Sequence, residues 1–301
     1  MDDELWPSLP YDAWKDTYAT LHMWMQVVGK VALSKAPPLN HSWGIALQVT
    51  PSGLITRTLA YGARSFTMEF DFLEHELVIA TSDGDRRTLE LRPQTVADFY
   101  REVRQTLEEM ALPVKIWPMP VEIADPIRFD EDTQHHSYDR AFVARFWQII
   151  RQIERIFTRE RCGFVGKSSP AHFFWGSFDL AVTRFSGRPA PRRDGPAFMQ
   201  DAYSHEVISH GFWLGGPDLE PAFYTYAVPE PEGFKEAVVA PDQAFYHKEM
   251  GEFILSYEAV RAAPSPDQAI ESFISSTYER AATLAKWDRS ALERDIPAQA
   301  T

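Results

Sequence analysis

The chain has 301 residues, 45% of them apolar and 24% charged, with a formal net charge of -13. That balance is globular rather than disordered, and an acidic chain without a dense lysine or arginine run excludes a nucleic-acid backbone as partner. The single cysteine, Cys162, permits no intrachain disulfide and no cysteine-built zinc site.

No apolar stretch approaches the roughly 18 to 20 residues of a membrane span. The acidic start, Met1 to Trp6, lacks the apolar core of a signal peptide. The expectation is a cytoplasmic protein with no membrane partner.

Trp14, Tyr18, Leu21, Met25 and Val28 step by four and three, which predicts a first helix that ends near Gly29. After Pro37-Pro38, the alternation of Trp43, Ile45, Leu47 and Val49 predicts a strand. The turn Pro51-Ser52-Gly53 makes 54–61 its hairpin partner. Phe66, Met68, Phe70 and Phe72 alternate with polar residues. Residues 76–81 and 86–91 follow across Ser82-Asp83-Gly84, and such short connections mean an antiparallel sheet.

A second helix starts at Thr95 with Asp98 three residues on, a near capping box, and carries the stripe Val96, Phe99, Val103, Leu107. The Pro-rich stretch 113–126 reads as a linker with an edge strand. A helix over 138–160 then carries Phe142, Phe146, Ile149, Ile153 and Ile156. Strands are expected near 172–185, 204–213, 222–228 and 252–256. A closing helix begins at Ser265 with Pro266 in its first turn and runs to about Lys286.

The pattern restarts half-way. Tyr-Asp opens each half, Val-Gly-Lys follows at 28–30 and 165–167, and Pro38, His41, Trp43-Gly44 parallel Pro170, His172, Trp175-Gly176. Matched order across a half is the mark of a repeat. The fold class expected is therefore α+β: two antiparallel sheets with flanking helices, from internal duplication of a helix–sheet–helix unit. The units are 1–125 and 126–301, packed as one globular body.

The chain resembles a bacterial family catalogued only as a domain of unknown function. The resemblance runs from Trp6-Pro7 to about Asp288. Its phrases include Thr20-Leu21-His22, Val28-Gly29-Lys30, Asn40-His41, Val96-Ala97-Asp98-Phe99-Tyr100, Ser169-Pro170 through Gly187-Arg188, and Ala202 through Ser209. It implies no activity.

The candidate chemistry gathers in the second half. If 172–184 is one strand, Trp175, Ser177, Asp179 and Thr183 share a mixed aromatic and polar face, as a pocket wall does. The next strand supplies His205, Glu206 and His210. With His172 and Asp179 these form a His–carboxylate set for acid–base work, and His205, Glu206 and His210 are candidate ligands of a divalent metal. The spacing does not match the metalloprotease helix, which needs histidines at i and i+4.

Arg184, Arg188, Arg192 and Arg193 suit an anion clamp. Trp175, Arg184, Arg188, His41 and Trp43 are the expected substrate-binding side chains. Asp130 to His136 reads as a solvated loop, and Gly166-Lys167-Ser168 lacks the earlier glycine of a phosphate loop, since position 161 is Arg. Two functions remain open. One is a small-molecule enzyme, metal-dependent or not, acting on an anionic substrate. The other is a non-catalytic ligand-binding or interaction module that uses the same aromatic cleft.

Overall fold

The computed structural model describes residues 5–192, 194 and 197–295. Arg193 of the expected anion clamp lies outside the described residues. Helices and strands mix as an α+β class requires. The twelve strands, all antiparallel where their register is defined, are assigned to one sheet rather than to two.

The chain divides into two compact units. The first comprises 9–151 and 172–179. It holds α1 (Tyr11–Lys35), β1 (Leu47–Val49), β2 (Gly53–Ile55), β3 (Leu59–Tyr61), β4 (Arg64–Asp71), β5 (Glu76–Thr81), β6 (Arg86–Glu90), α2 (Val96–Glu109) and β7 (His172–Phe174). Its strands run β7-β1-β2-β4-β5-β6, with β3 also on β4. On β4, Phe66, Met68 and Phe70 alternate inward and are buried, opposite Thr81, Ile79 and Leu77 of β5. This is the two-residue period written in the sequence. Thr95 caps α2 by accepting the Asp98 amide at 3.0 Å.

Three expectations fail in this unit, each for a tertiary reason. α1 does not stop at Gly29 but continues to Lys35. A Cβ on Gly29 would meet the Trp175 ring at 2.2 Å, so the glycine serves a close approach rather than a helix end. The strand expected from Trp43 begins only at Leu47. His41 and Ser42 take φ of 57° and 58°, and the backbone turns there. The stretch 113–126 forms no strand. A side chain satisfies its backbone instead: Gln26 donates to Val121 O at 2.7 Å and accepts from Val121 N at 2.8 Å.

The second unit comprises 152–171, 180–295 and the described residues before Leu9. The helix α3 (Arg140–Glu160) runs into it. It also holds β8 (Asp179–Pro189), α4 (Ala197–Ala202), β9 (His205–Trp213), β10 (Ala222–Val228), β11 (Phe245–His247), β12 (Glu252–Ser256), α5 (Tyr257–Arg261), α6 (Pro266–Leu284) and α7 (Arg289–Leu292). Its strand order is β11-β12-β10-β9-β8, and β11 is a strand the alternation did not reveal. Ser265 caps α6 and Pro266 occupies its first turn, as expected. Inside the unit, Thr277 of α6 meets Thr225 of β10 at 3.1 Å, hydroxyl to hydroxyl.

The single strand expected over 172–185 is two strands, β7 and β8. A turn at 175–178 separates them, and there Phe178 takes φ of 58°. Trp175 and Ser177 therefore lie on a turn rather than on one strand face.

Candidate functional site

In the first unit, His22 and Gln26 are among the buried polar side chains of α1, one turn apart. His22 Nε2 lies 3.0 Å from Trp175 O and 2.9 Å from Gly176 O. Two carbonyls can only accept, so Nε2 carries the proton and donates to them. The 3.2 Å contact from Gln26 Nε2 to the same nitrogen is then donor against donor, not a hydrogen bond. Burial keeps His22 neutral and lowers its pKa to about 4.

These two side chains fix two backbone segments. Gln26 holds Val121, and the next residue, Glu122, takes φ of 58°. His22 holds Trp175 and Gly176, whose turn leads through Phe178 to Asp179. The indole of Trp175 adds a bond of its own to Ile45 O, at 2.9 Å. Backbone in sparsely populated φ, held by such over-determination, is where proteins store functional strain.

These two segments each carry a carboxyl group, Glu122 and Asp179. Glu122 Oε1 lies over the open face of Gly176, 2.7 Å from where a Cβ would stand. Glu122 as a whole is exposed to solvent, with its carboxyl end set against Gly176. Burial first, and the Asp179 charge second, raise its pKa above the usual carboxylate range. Asp179 is buried and accepts a hydrogen bond from the Ser177 hydroxyl. Asp179 also adds to the burial that holds the Tyr18 phenol protonated.

Other first-unit residues border this arrangement. Lys30, 4% exposed, sets its ammonium 5.0 Å over the Trp117 ring, and burial lowers its pKa. His41 packs on Trp43, and Trp43 meets His172 edge-on at 6.3 Å. His172 is buried and also contacts the Phe174 ring. The segment 130–136, expected as a solvated loop, is anchored. Asp132 is 0% exposed and bonds His135 Nδ1 at 2.7 Å, which raises the imidazole's pKa.

Residues 6–294 match the model of the family of unknown function DUF5996. The chain belongs to this family. No curated relative and no solved structure matches it.

The remaining expected site residues of this DUF5996 chain fall in the second unit. His210 on β9 is fully enclosed, donates from Nε2 to Ile274 O at 3.1 Å, and is held neutral by burial and then by the Arg184 charge. His205 contacts the Ser204 hydroxyl at 3.1 Å through Nδ1. Glu206 accepts from Arg188 Nε at 2.9 Å and from the Ser186 hydroxyl at 2.9 Å. Strand parity thus separates His205 from Glu206 and His210, as the alternation requires.

Among the described residues, no group of three or more His, Cys, Asp or Glu side chains is disposed to hold a metal ion. Two of the expected clamp arginines bond within the second unit. Arg184 is buried, donating to Glu160 O at 2.8 Å and lying 4.4 Å from the centre of the Tyr278 ring. Arg188 spends its donors on Glu206, Ala285 O and Lys286 O.

Sequence reasoning flagged Trp175, Ser177 and Asp179 but missed Glu122 and Gln26. For Gln26 a signal was present. A glutamine four residues after a histidine, on the apolar side of a helix, asks for a buried partner.

Proposed function

We propose that this protein is a general acid–base enzyme acting on a small neutral or basic molecule, with Glu122 as acid and Asp179 as base. What supports this reading is the placement of Glu122 Oε1 against Gly176, on the turn that leads to Asp179, with burial and the Asp179 charge both pushing the Glu122 pKa up. A carboxyl group whose pKa is pushed up is suited to give a proton as general acid. His22 and Gln26 are positioning residues, since each fixes the backbone that carries one carboxyl group. An anionic substrate would be repelled by the pair, and the arginines once expected to attract it are bonded elsewhere.

The internal duplication read from the sequence stays part of this proposal. Each half carries a long opening helix, six strands and a closing helix, α1 to α2 and α3 to α6. That supports descent from one helix–sheet–helix unit.

The test is untargeted. Wild-type protein and the Glu122→Gln/Asp179→Asn double variant are incubated with a small-molecule extract, and the mixtures are compared by mass spectrometry. General acid–base groups contribute on the order of 10²–10⁴ in rate. Compounds consumed by the wild type should therefore persist in the folded double variant. Identical consumption by both proteins, or none by either, counts against the reading.

A further inference from the structure

The second unit contains a pocket of about 210 Å³ that the acid–base reading does not use. Its wall is built where β9 begins, where β10 ends, and just past the end of α6. Ile208, Val228, Leu284 and Trp287 give it an apolar lining, and its charged lining residues are Glu206 and Glu232.

The charged residues that line this pocket are both carboxylates. Among the described residues, no lysine, arginine or histidine lines it. Arg188 stands beside Glu206, but its Nε and Nη2 both go to Glu206 Oε2, at 2.9 and 2.6 Å. Its remaining capacity goes to Ala285 O and Lys286 O. It pairs with Glu206 through Oε2 and leaves Oε1 outside that pair.

Glu206 Oε1 accepts no hydrogen bond among the described residues, and Glu232, exposed at the rim, has no ion-pair partner among them. The negative end of the α6 dipole faces the same wall, through Ala285 just beyond Leu284.

An anion would meet two carboxylates here. A hydrated metal ion would gain nothing from the isoleucine, valine and leucine. A group that donates hydrogen bonds, carries positive charge and has an apolar body satisfies every part of the wall. Its charge would face the carboxylates of Glu206 and Glu232, beside the Trp287 indole in the same lining. We infer that this pocket binds a small organic ammonium ion. Glu232 and Glu206 Oε1 receive the charged nitrogen, and Trp287 and the aliphatic side chains enclose the hydrocarbon.

The experiment uses the full chain and titrates benzylammonium and butylammonium, with benzyl alcohol and benzoate as neutral and anionic counterparts. Binding is followed by calorimetry and by the indole N–H resonance of Trp287. The ammonium probes should bind saturably, at least about tenfold tighter than benzyl alcohol, and shift the Trp287 signal. Glu232→Gln, an exposed change that leaves the fold in place, should weaken benzylammonium about tenfold.

Three results overturn the inference. Benzyl alcohol or benzoate binds as tightly as benzylammonium, neither ammonium probe binds saturably, or Glu232→Gln leaves the affinity unchanged. None of these bears on Glu122 or Asp179, so the acid–base reading is tested separately.

Discussion

Gly29→Ala is expected to destabilise the first unit by about 2 kcal/mol, although alanine is the better helix former. Inside an exposed helix the exchange would gain roughly 0.8–1.0 kcal/mol. Here the new methyl would stand 2.2 to 2.4 Å from three atoms of the Trp175 ring. The indole cannot swing away freely, because its Nε1 donates to Ile45 O and the flanking backbone is bonded to His22.

Overpacking of a tight site costs about 1–3 kcal/mol, occasionally more, and loss of the indole bond adds about 1 kcal/mol. The steric and hydrogen-bond terms together exceed the propensity gain. Chemical denaturation should show the loss, together with a changed environment for Trp175. Stability equal to or above wild type would mean that Trp175 does not pack against α1 as described.

The second large effect is a loss of stability in acid that runs through His22. Its folded pKa, about 4, lies below the unfolded value of 6.5. The unfolded chain therefore binds the proton more readily. The stabilisation is complete above pH 6.5 and is lost as pH falls toward 4. The span corresponds to about 3 kcal/mol, order of magnitude only.

His210 and His75, both lowered by burial, act with the same sign. His135, raised by Asp132, acts oppositely. Its contribution is present at low pH and is lost as pH rises through its folded value.

A His22→Leu variant separates these contributions. At pH 7 it should be less stable by about 2–3 kcal/mol, because two carbonyls lose their donor. At pH 4.5 the gap to wild type should shrink, since the variant has no imidazole to protonate. Urea unfolding at both pH values measures the gap. A gap that stays constant with pH would show that His22 is not held neutral.

What could be read from the sequence is what local periodicity encodes. The β4 alternation, the α2 and α6 caps and the α3 stripe all have their signal within a few residues. The failures share one cause, a residue whose conformation is set from far along the chain. Gly29 looks like a helix stop, yet it is glycine because Trp175, 146 residues on, needs the space.

Phe178 breaks a strand at φ of 58°, although it is itself neither glycine nor asparagine. The stretch 113–126 has no period because Gln26, rather than a neighbouring strand, takes up Val121. The site was half visible for the same reason. Trp175, Ser177 and Asp179 stood out by type, whereas Glu122 lay in a proline-rich segment that gave no hint of its partner.

The most direct measurement is a carbon-13 NMR titration of the Glu122 carboxyl in wild-type protein and in Asp179→Asn. The account predicts a midpoint above the ordinary glutamate value of about 4.3, and a lower midpoint once the neighbouring charge is removed. An ordinary midpoint that Asp179→Asn does not move would contradict the carboxylate pair, and with it the proposed acid–base function.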